Sequence, residues 1–202
     1  SIENEFFRVQ ADRATGTITV TDKACPERSR RASGAVWRGL NRFVDGADAG
    51  DLYNYSPPES DGLVEAPAAP PSVTVEVSPA RRTLRIELLY RLPARLADDR
   101  QGRSSELVDC PIVSEVSLVP GVRRVDIRTT IDNCAEDHRL RVHFPTPVRT
   151  AVSHAEGVFD VVSRPVAVPP ATEDCTETPM GTYPQKTFVD VNDGQMGLLV
   201  AT

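Results

Sequence analysis

TLRIELLY, residues 83–90, places Leu84, Ile86 and Leu88 at every second position and sets Arg85 and Glu87 between them. A period of two puts the apolar side chains on one side of an extended backbone and the charges on the other. The pattern recurs along the chain. In SVTVEVS (72–78), Val73, Val75 and Val77 oppose Thr74 and Glu76. In RRVDIRTTID (123–132), Val125, Ile127 and Thr129 oppose Asp126, Arg128 and Thr130. In HRLRVHF (138–144), Leu140, Val142 and Phe144 oppose Arg139, Arg141 and His143. One buried and one wet face per strand is how antiparallel sheets read. TGTITVTD (15–22), KTFVDVND (186–193) and GLLVAT (197–202) add further strands. The 17 prolines cluster in SPPESD, APAAPPS and VAVPPATED and exclude long helices. GAVWRGLNRFVDG (34–46) comes nearest to a helical period, through Val36, Leu40, Phe43 and Val44; its glycines leave short helix, strand and irregular segment all open. The expected fold is all-β: an antiparallel β-sandwich with few or no helices, forming one domain over residues 1–202. Residues 60–72 and 98–105 read as long exposed loops.

Composition narrows the function classes. Of 202 residues, 40% are apolar, enough for a sizeable core, and the net charge is -6. A negative chain is a poor partner for phosphate backbones, so no nucleic-acid role is expected. No run reaches the roughly 18 apolar residues of a membrane span. SIENEFFRVQ at the start has no basic region followed by an apolar run, so no secretory signal is expected, and a cytoplasmic location with reduced cysteines follows. The chain lacks an initiator Met and ends in strand-like GQMGLLVAT, so both ends read as cut from a longer protein. Cys25, Cys110, Cys134 and Cys175 form no paired knuckle; only His138 stands near one, four residues after Cys134, which is weak ground for zinc. The cysteine count allows one disulfide, and reduced cysteines are the simpler expectation.

The polar run DGADAGDLYNYSPPESD (45–61) holds the candidate site residues. Asp45, Asp48 and Asp51 stand three apart, whereas a calcium loop sets its carboxylates two apart, so turn capping is the expected role of Asp45 and Asp48. Tyr53 and Tyr55 would share a face if the segment were a strand. A tyrosine ring offers a flat apolar face and a hydroxyl, which suits a sugar as well as it suits a core. His143 falls on the wet face of its strand, and a surface role is expected. No nucleophile elbow, phosphate-binding loop or dinucleotide fingerprint is present, and no carboxylate pair stands out as acid and nucleophile.

Five stretches in order, IENEFFRVQADRATGTITVTDKA, GLNRFVDGADAGDLYNYSPPESD, HRLRVHFPTPV, FDVVSRPV and YPQKTFVDVNDGQMGLLVAT, span nearly the whole chain. Their succession resembles the C-terminal β-domain of the bacterial glycoside hydrolase family 38 α-mannosidases. The most specific part is the run from Leu40 to Pro58, with GDLYNYSPP at its end. The resemblance implies a supersandwich akin to that of galactose mutarotase. It also implies a parent enzyme that hydrolyses terminal α-mannosyl bonds with retention, using zinc whose ligands, like the nucleophile, lie outside this chain. No metal or catalytic role is transferred to any residue here. The resemblance places Tyr53 at the wall of the mannose pocket and Asp51 beside it, orienting the loop or bonding a sugar hydroxyl; Tyr55 completes the substrate-binding set. An α-mannoside is the implied partner, with oligomeric state left open. Two other readings stand beside this one: a stand-alone carbohydrate-binding β-sandwich module, and a purely structural β-domain packed on a catalytic partner. Scarce aromatics, 5% of the chain, count against the module.

Overall fold

A computed structural model describes residues 1–23, 35–51, 53–172 and 179–202. Every regular element among them is a strand. The chain divides into two units, residues 1–145 and 146–202.

Among the described residues the first unit holds ten strands. β1 (Ile2–Glu3), β2 (Phe7–Ala11), β3 (Ile18–Asp22) and β4 (Val36–Leu40) form one antiparallel sheet in that order. β6 (Ser72–Val77), β7 (Arg82–Pro93), β8 (Leu107–Leu118) and β9 (Asp126–Ile131) form a second. β5 (Arg42–Ala47) and β10 (His138–His143) make a separate two-stranded ladder, with Asp45 bridging to Val64 on the free side of β5. The inner faces of the two larger sheets form the core. Ile2, Val9, Val20 and Trp37 lie in cross-strand register on the first sheet, and all are buried. On the second, Leu84 faces Val116, Leu88 faces Ile112 and Tyr90 faces Cys110, again all buried. Each fully buried side chain of this size adds about 1.5–3 kcal/mol. Polar contacts set how the sheets meet. Asn4 Nδ2 donates to the carbonyls of Val119 (3.0 Å) and Val122 (3.1 Å), and Asn41 Nδ2 donates to Ser114 Oγ at 3.0 Å.

The quoted stretch TLRIELLY behaves as its pattern predicts: Leu84, Ile86 and Leu88 are buried while Arg85 and Glu87 face outward and pair with each other at 3.1 Å. SVTVEVS does not. It forms edge strand β6, and although Val75 registers with Leu84, Val75 and Val77 stay exposed, Val77 at 71%. Ile131, on the opposite edge strand β9, is exposed as well. The alternation is real in both, but an edge strand buries its apolar face only where another layer reaches it. In β10 the alternation is lost: Leu140, Arg139, Arg141 and His143 are all half-buried and Val142 is exposed. The ambiguous segment 34–46 resolves into β4 and β5. Asn41, at φ 58°, takes the left-handed turn between them and is itself buried; Asn tolerates that conformation better than most residues. Its glycine Gly39 also lies at positive φ, which a helix interior excludes.

The second unit is one antiparallel sheet. Its strands are β11 (Val152–Glu156), β12 (Val161–Pro165), β13 (Phe188–Asn192) and β14 (Gly197–Ala201), in the order β12-β11-β13-β14. The β13–β14 turn is capped by Asp193, whose Oδ1 accepts the amides of Gln195 and Met196 at 2.9 Å, with Gly194 at φ 81°. Ala155 is its buried apolar residue among those described, and Phe159, in the β11–β12 turn, is fully exposed.

Candidate functional site

Strand β5 ends at Ala47 and the chain enters a loop that closes at Ser56. Asp48 builds it. Its Oδ1 accepts the amides of Gly50 (2.9 Å) and Ser56 (3.0 Å), one near each end of the loop. Ala49 N–H donates to Ser56 O at 2.7 Å and ties the ends directly. Asp51 then caps the tip: its Oδ1 accepts the amides of Tyr53 (2.8 Å) and Asn54 (3.0 Å), and these two bonds hold its carboxyl below the usual aspartate range. Gly50 has no alternative, because a Cβ there would overlap the carbonyl of Asn54. Arg100 reaches in from its own turn and donates to Ala49 O at 3.0 Å. Among the described residues, two aspartates, one arginine and one glycine thus tie the loop together through hydrogen bonds to its backbone.

The tyrosines part company in this loop. It is not a strand, so the two do not share a face. Tyr53 projects with 91% of its surface exposed. Tyr55 is half-buried, and the guanidinium of Arg139 lies over its ring, 4.3 Å from the centroid; such stacking contributes about 0.5–1 kcal/mol at an exposed site. Asp51 serves the loop backbone through the oxygen described.

Asp45 is not a turn cap. It sits inside β5, at 0% exposure, with one carboxylate oxygen on Arg103 Nη2 and the other 2.5 Å from His138 Nδ1. The side chains of both partners are 7% exposed. His138 Nε2 lies 2.9 Å from Asn133 Oδ1, and Arg103 Nη1 donates to Gly62 O at 3.4 Å. Beside this group the Ala47 amide meets the carboxylate of Asp61 (3.1 and 3.2 Å), and Asp48 N–H donates to Asp137 O at 2.9 Å. The partners come from 58 and 93 residues away in sequence, so nothing in the local spacing of the aspartates could have named them. Residues 98–105 do form a surface turn, but Arg103 points inward from it. His143, expected on the surface, is half-buried; burial chiefly, then the cations of Arg141 and Arg42, push its pKa down, with Glu65 opposing.

The three aspartates do not converge on a common point, and among the described residues no three His, Cys, Asp or Glu side chains gather as a metal site would require. Both ring nitrogens of His138 are engaged, which leaves none to join Cys134 on a metal. The described residues therefore do not fit a zinc site, and none is assigned to them. Cys110 is buried and Cys134 exposed, both as free thiols; burial pushes the Cys110 pKa up. Cys25 and Cys175 lie outside the described residues.

Comparison with known proteins agrees with this architecture. The family described as "Glycosyl hydrolases family 38 C-terminal domain" matches residues 2–202. The chain is 26% identical over 218 residues to the "Putative mannosylglycerate hydrolase" of Halalkalibacterium halodurans, covering 100% of this chain and 23% of that protein. Among solved structures, an α-mannosidase from Enterococcus faecalis superposes with a TM-score of 0.81 at 28% identity, over 95% of this chain and 22% of that one. A glycosyl hydrolase family 38 protein from the same organism gives 0.76 at 27% identity, with the same coverage. The chain thus spans less than a quarter of the length of these relatives. Matched from Ile2 to its last residue, and folded as an all-β sandwich like the corresponding part of those enzymes, the chain belongs to the C-terminal domain family of glycoside hydrolase family 38.

Proposed function

We propose that this chain is the non-catalytic C-terminal β-domain of a longer α-mannosidase, and that its 48–56 loop supplies Tyr53 to the wall of the sugar pocket. The observation that carries this reading is the contrast between an exposed ring and the hydrogen-bonded loop that presents it. Tyr53 leaves 91% of its surface in water, yet the loop beneath it is fixed by Asp48, Asp51 and Arg100. Ordering a loop costs about 1–2 kcal/mol per residue in backbone entropy. A loop held this firmly, with an aromatic phenol at its tip, suits the recognition of a polar, flat-faced ligand. A mannose ring is such a ligand: its C–H face packs on the phenol ring and its hydroxyls exchange hydrogen bonds with the phenolic O–H.

The reaction proposed for the longer protein is hydrolysis of terminal α-mannosyl bonds with retention. That chemistry needs two carboxyl groups flanking the bond, one as nucleophile and one as acid. A zinc ion, held by residues beyond this chain, would grip mannose hydroxyls there. The role left to this domain is binding and orientation. The carbohydrate-binding-module reading finds less support, because Arg139 covers the Tyr55 ring and leaves Tyr53 as the loop's open aromatic face.

Tyr53→Phe in the intact enzyme tests the proposal. Loss of one hydrogen bond to the sugar lowers kcat/KM by an amount equivalent to about 1–3 kcal/mol. Unchanged kcat/KM removes Tyr53 from the pocket.

A further inference from the structure

We infer that Asp45, His138 and Arg103 are positioning residues for Tyr53, a buried polar node that sets where the loop leaves the sheet; this rests on the pocket reading above. Burying a carboxylate between an arginine and a histidine carries a desolvation penalty that their pairing offsets only in part, and apolar replacements of such groups are often as stable or more so. A stability role alone therefore leaves the node unexplained. What it provides is direction. Each contact is atom-specific: Asp45 takes Arg103 on one oxygen and His138 on the other, and Asn133 fixes the far nitrogen of the imidazole.

Those contacts meet where the loop needs them. β5 and β10 form a ladder of only two strands, too narrow to fix its own twist and slide firmly. His138 is the register partner of Ala47, the last residue before the loop, and the residue preceding it, Asp137, accepts the amide of Asp48, the residue that builds the loop. The turn that supplies Arg103 to the node also supplies Arg100 to Ala49 O inside the loop. One surface turn thus grips both the base of the loop and the loop itself. A shift of His138 or Arg103 would be passed to Asp48 through one hydrogen bond and to Tyr53 through the amides that Asp48 and Asp51 hold, and an error near 1 Å at a binding group is enough to cost activity.

The test is a double-mutant cycle in the intact enzyme, with an aryl α-mannoside as substrate and the folded fraction of each variant checked by circular dichroism. Wild type, Tyr53→Phe, His138→Gln and the double variant are compared by kcat/KM. If His138 acts through Tyr53, His138→Gln lowers kcat/KM about tenfold when Tyr53 is present and less than twofold in the Tyr53→Phe background. The same loss in both backgrounds, as a general loss of folded protein would give, overturns the inference, and so does no loss in either. Should His138→Gln fail to fold, Asn133→Ala gives the same cycle from the exposed end of the node, with about a threefold loss expected and the same two overturning outcomes. Failure of the pocket reading is seen separately, as a Tyr53→Phe variant with wild-type kcat/KM.

Discussion

Strands β7 and β8 and the base of the 48–56 loop lie in the same unit and are held together by different forces. β7 and β8 pair along twelve residues each, and their inner faces carry Leu84, Ile86, Leu88, Tyr90, Leu92, Ile112 and Val116. That interface is held chiefly by apolar packing, which depends on volume and fit, with Asn41–Ser114 as a polar contact across it. At the loop base the buried groups are Asp45, Arg103 and His138, each met atom by atom. The first region makes the domain stable. The second contributes little net stability and much specificity, the pattern expected where a fold must present one side chain in one place.

The comparison breaks first, if it breaks, at Asp45. Asp45→Asn leaves Arg103 and His138 in a buried site without their carboxylate, and unfolding in urea, followed by circular dichroism, should show a loss of about 3–5 kcal/mol. A loss under about 1 kcal/mol would mean that the node is not held by charge. The apolar counterpart is Ile86→Ala in the centre of β7, fully buried, where the lost transfer energy and the cavity together cost about 2–4 kcal/mol. The two variants should differ in kind: Ile86→Ala lowers stability with kcat/KM of the folded enzyme unchanged, while Asp45→Asn lowers both.

A smaller and slower test uses pH. The buried phenol of Tyr90 stays protonated up to about 12 in the folded protein, against 10.0 for a free tyrosine, because burial disfavours its anion. Above the unfolded value the unfolded chain has lost this proton and the native chain has kept it. Stability therefore falls as pH rises from 10 toward about 12. Alkaline unfolding midpoints of wild type and Tyr90→Phe read this directly, and parallel curves would refute the burial argument. The smallest stability effect belongs to the loop. Asp48→Ala removes the acceptor of two amides and should cost about 1–2 kcal/mol locally, seen as faster hydrogen exchange at Gly50 and Ser56 with little change in the global transition. Protection equal to wild type would show that the loop stands without Asp48.

Much of the fold was legible in the sequence because burial in a sheet has a period of two, and that period survives in any reading of TLRIELLY. Seven strands were placed by it; β2, β8, β11 and β12 were not named, although β8 is as long as β7. Which of them would be wet was not legible: Val75 and Val77 carry the same alternation as Leu84 and Ile86, and only the position of β6 at a sheet edge leaves them exposed. The candidate loop was recognisable as a polar, glycine-rich turn with two tyrosines, and the capping role expected of Asp48 is what its carboxylate performs. The same expectation for Asp45 fails, because a one-dimensional spacing cannot say that Arg103 and His138 will arrive at its two oxygens.

By itself, then, the sequence determined the strand-forming pattern, the absence of room for long helices and the family resemblance, all of which follow from local chemistry and order along the chain. Only the tertiary structure decided that Tyr53 points into solvent while Tyr55 lies under Arg139, and that Asp45 is buried between Arg103 and His138. The physical reason is that a side chain's exposure and partners depend on which distant segments pack against it, and those contacts, 58 and 93 residues apart here, leave no periodic trace.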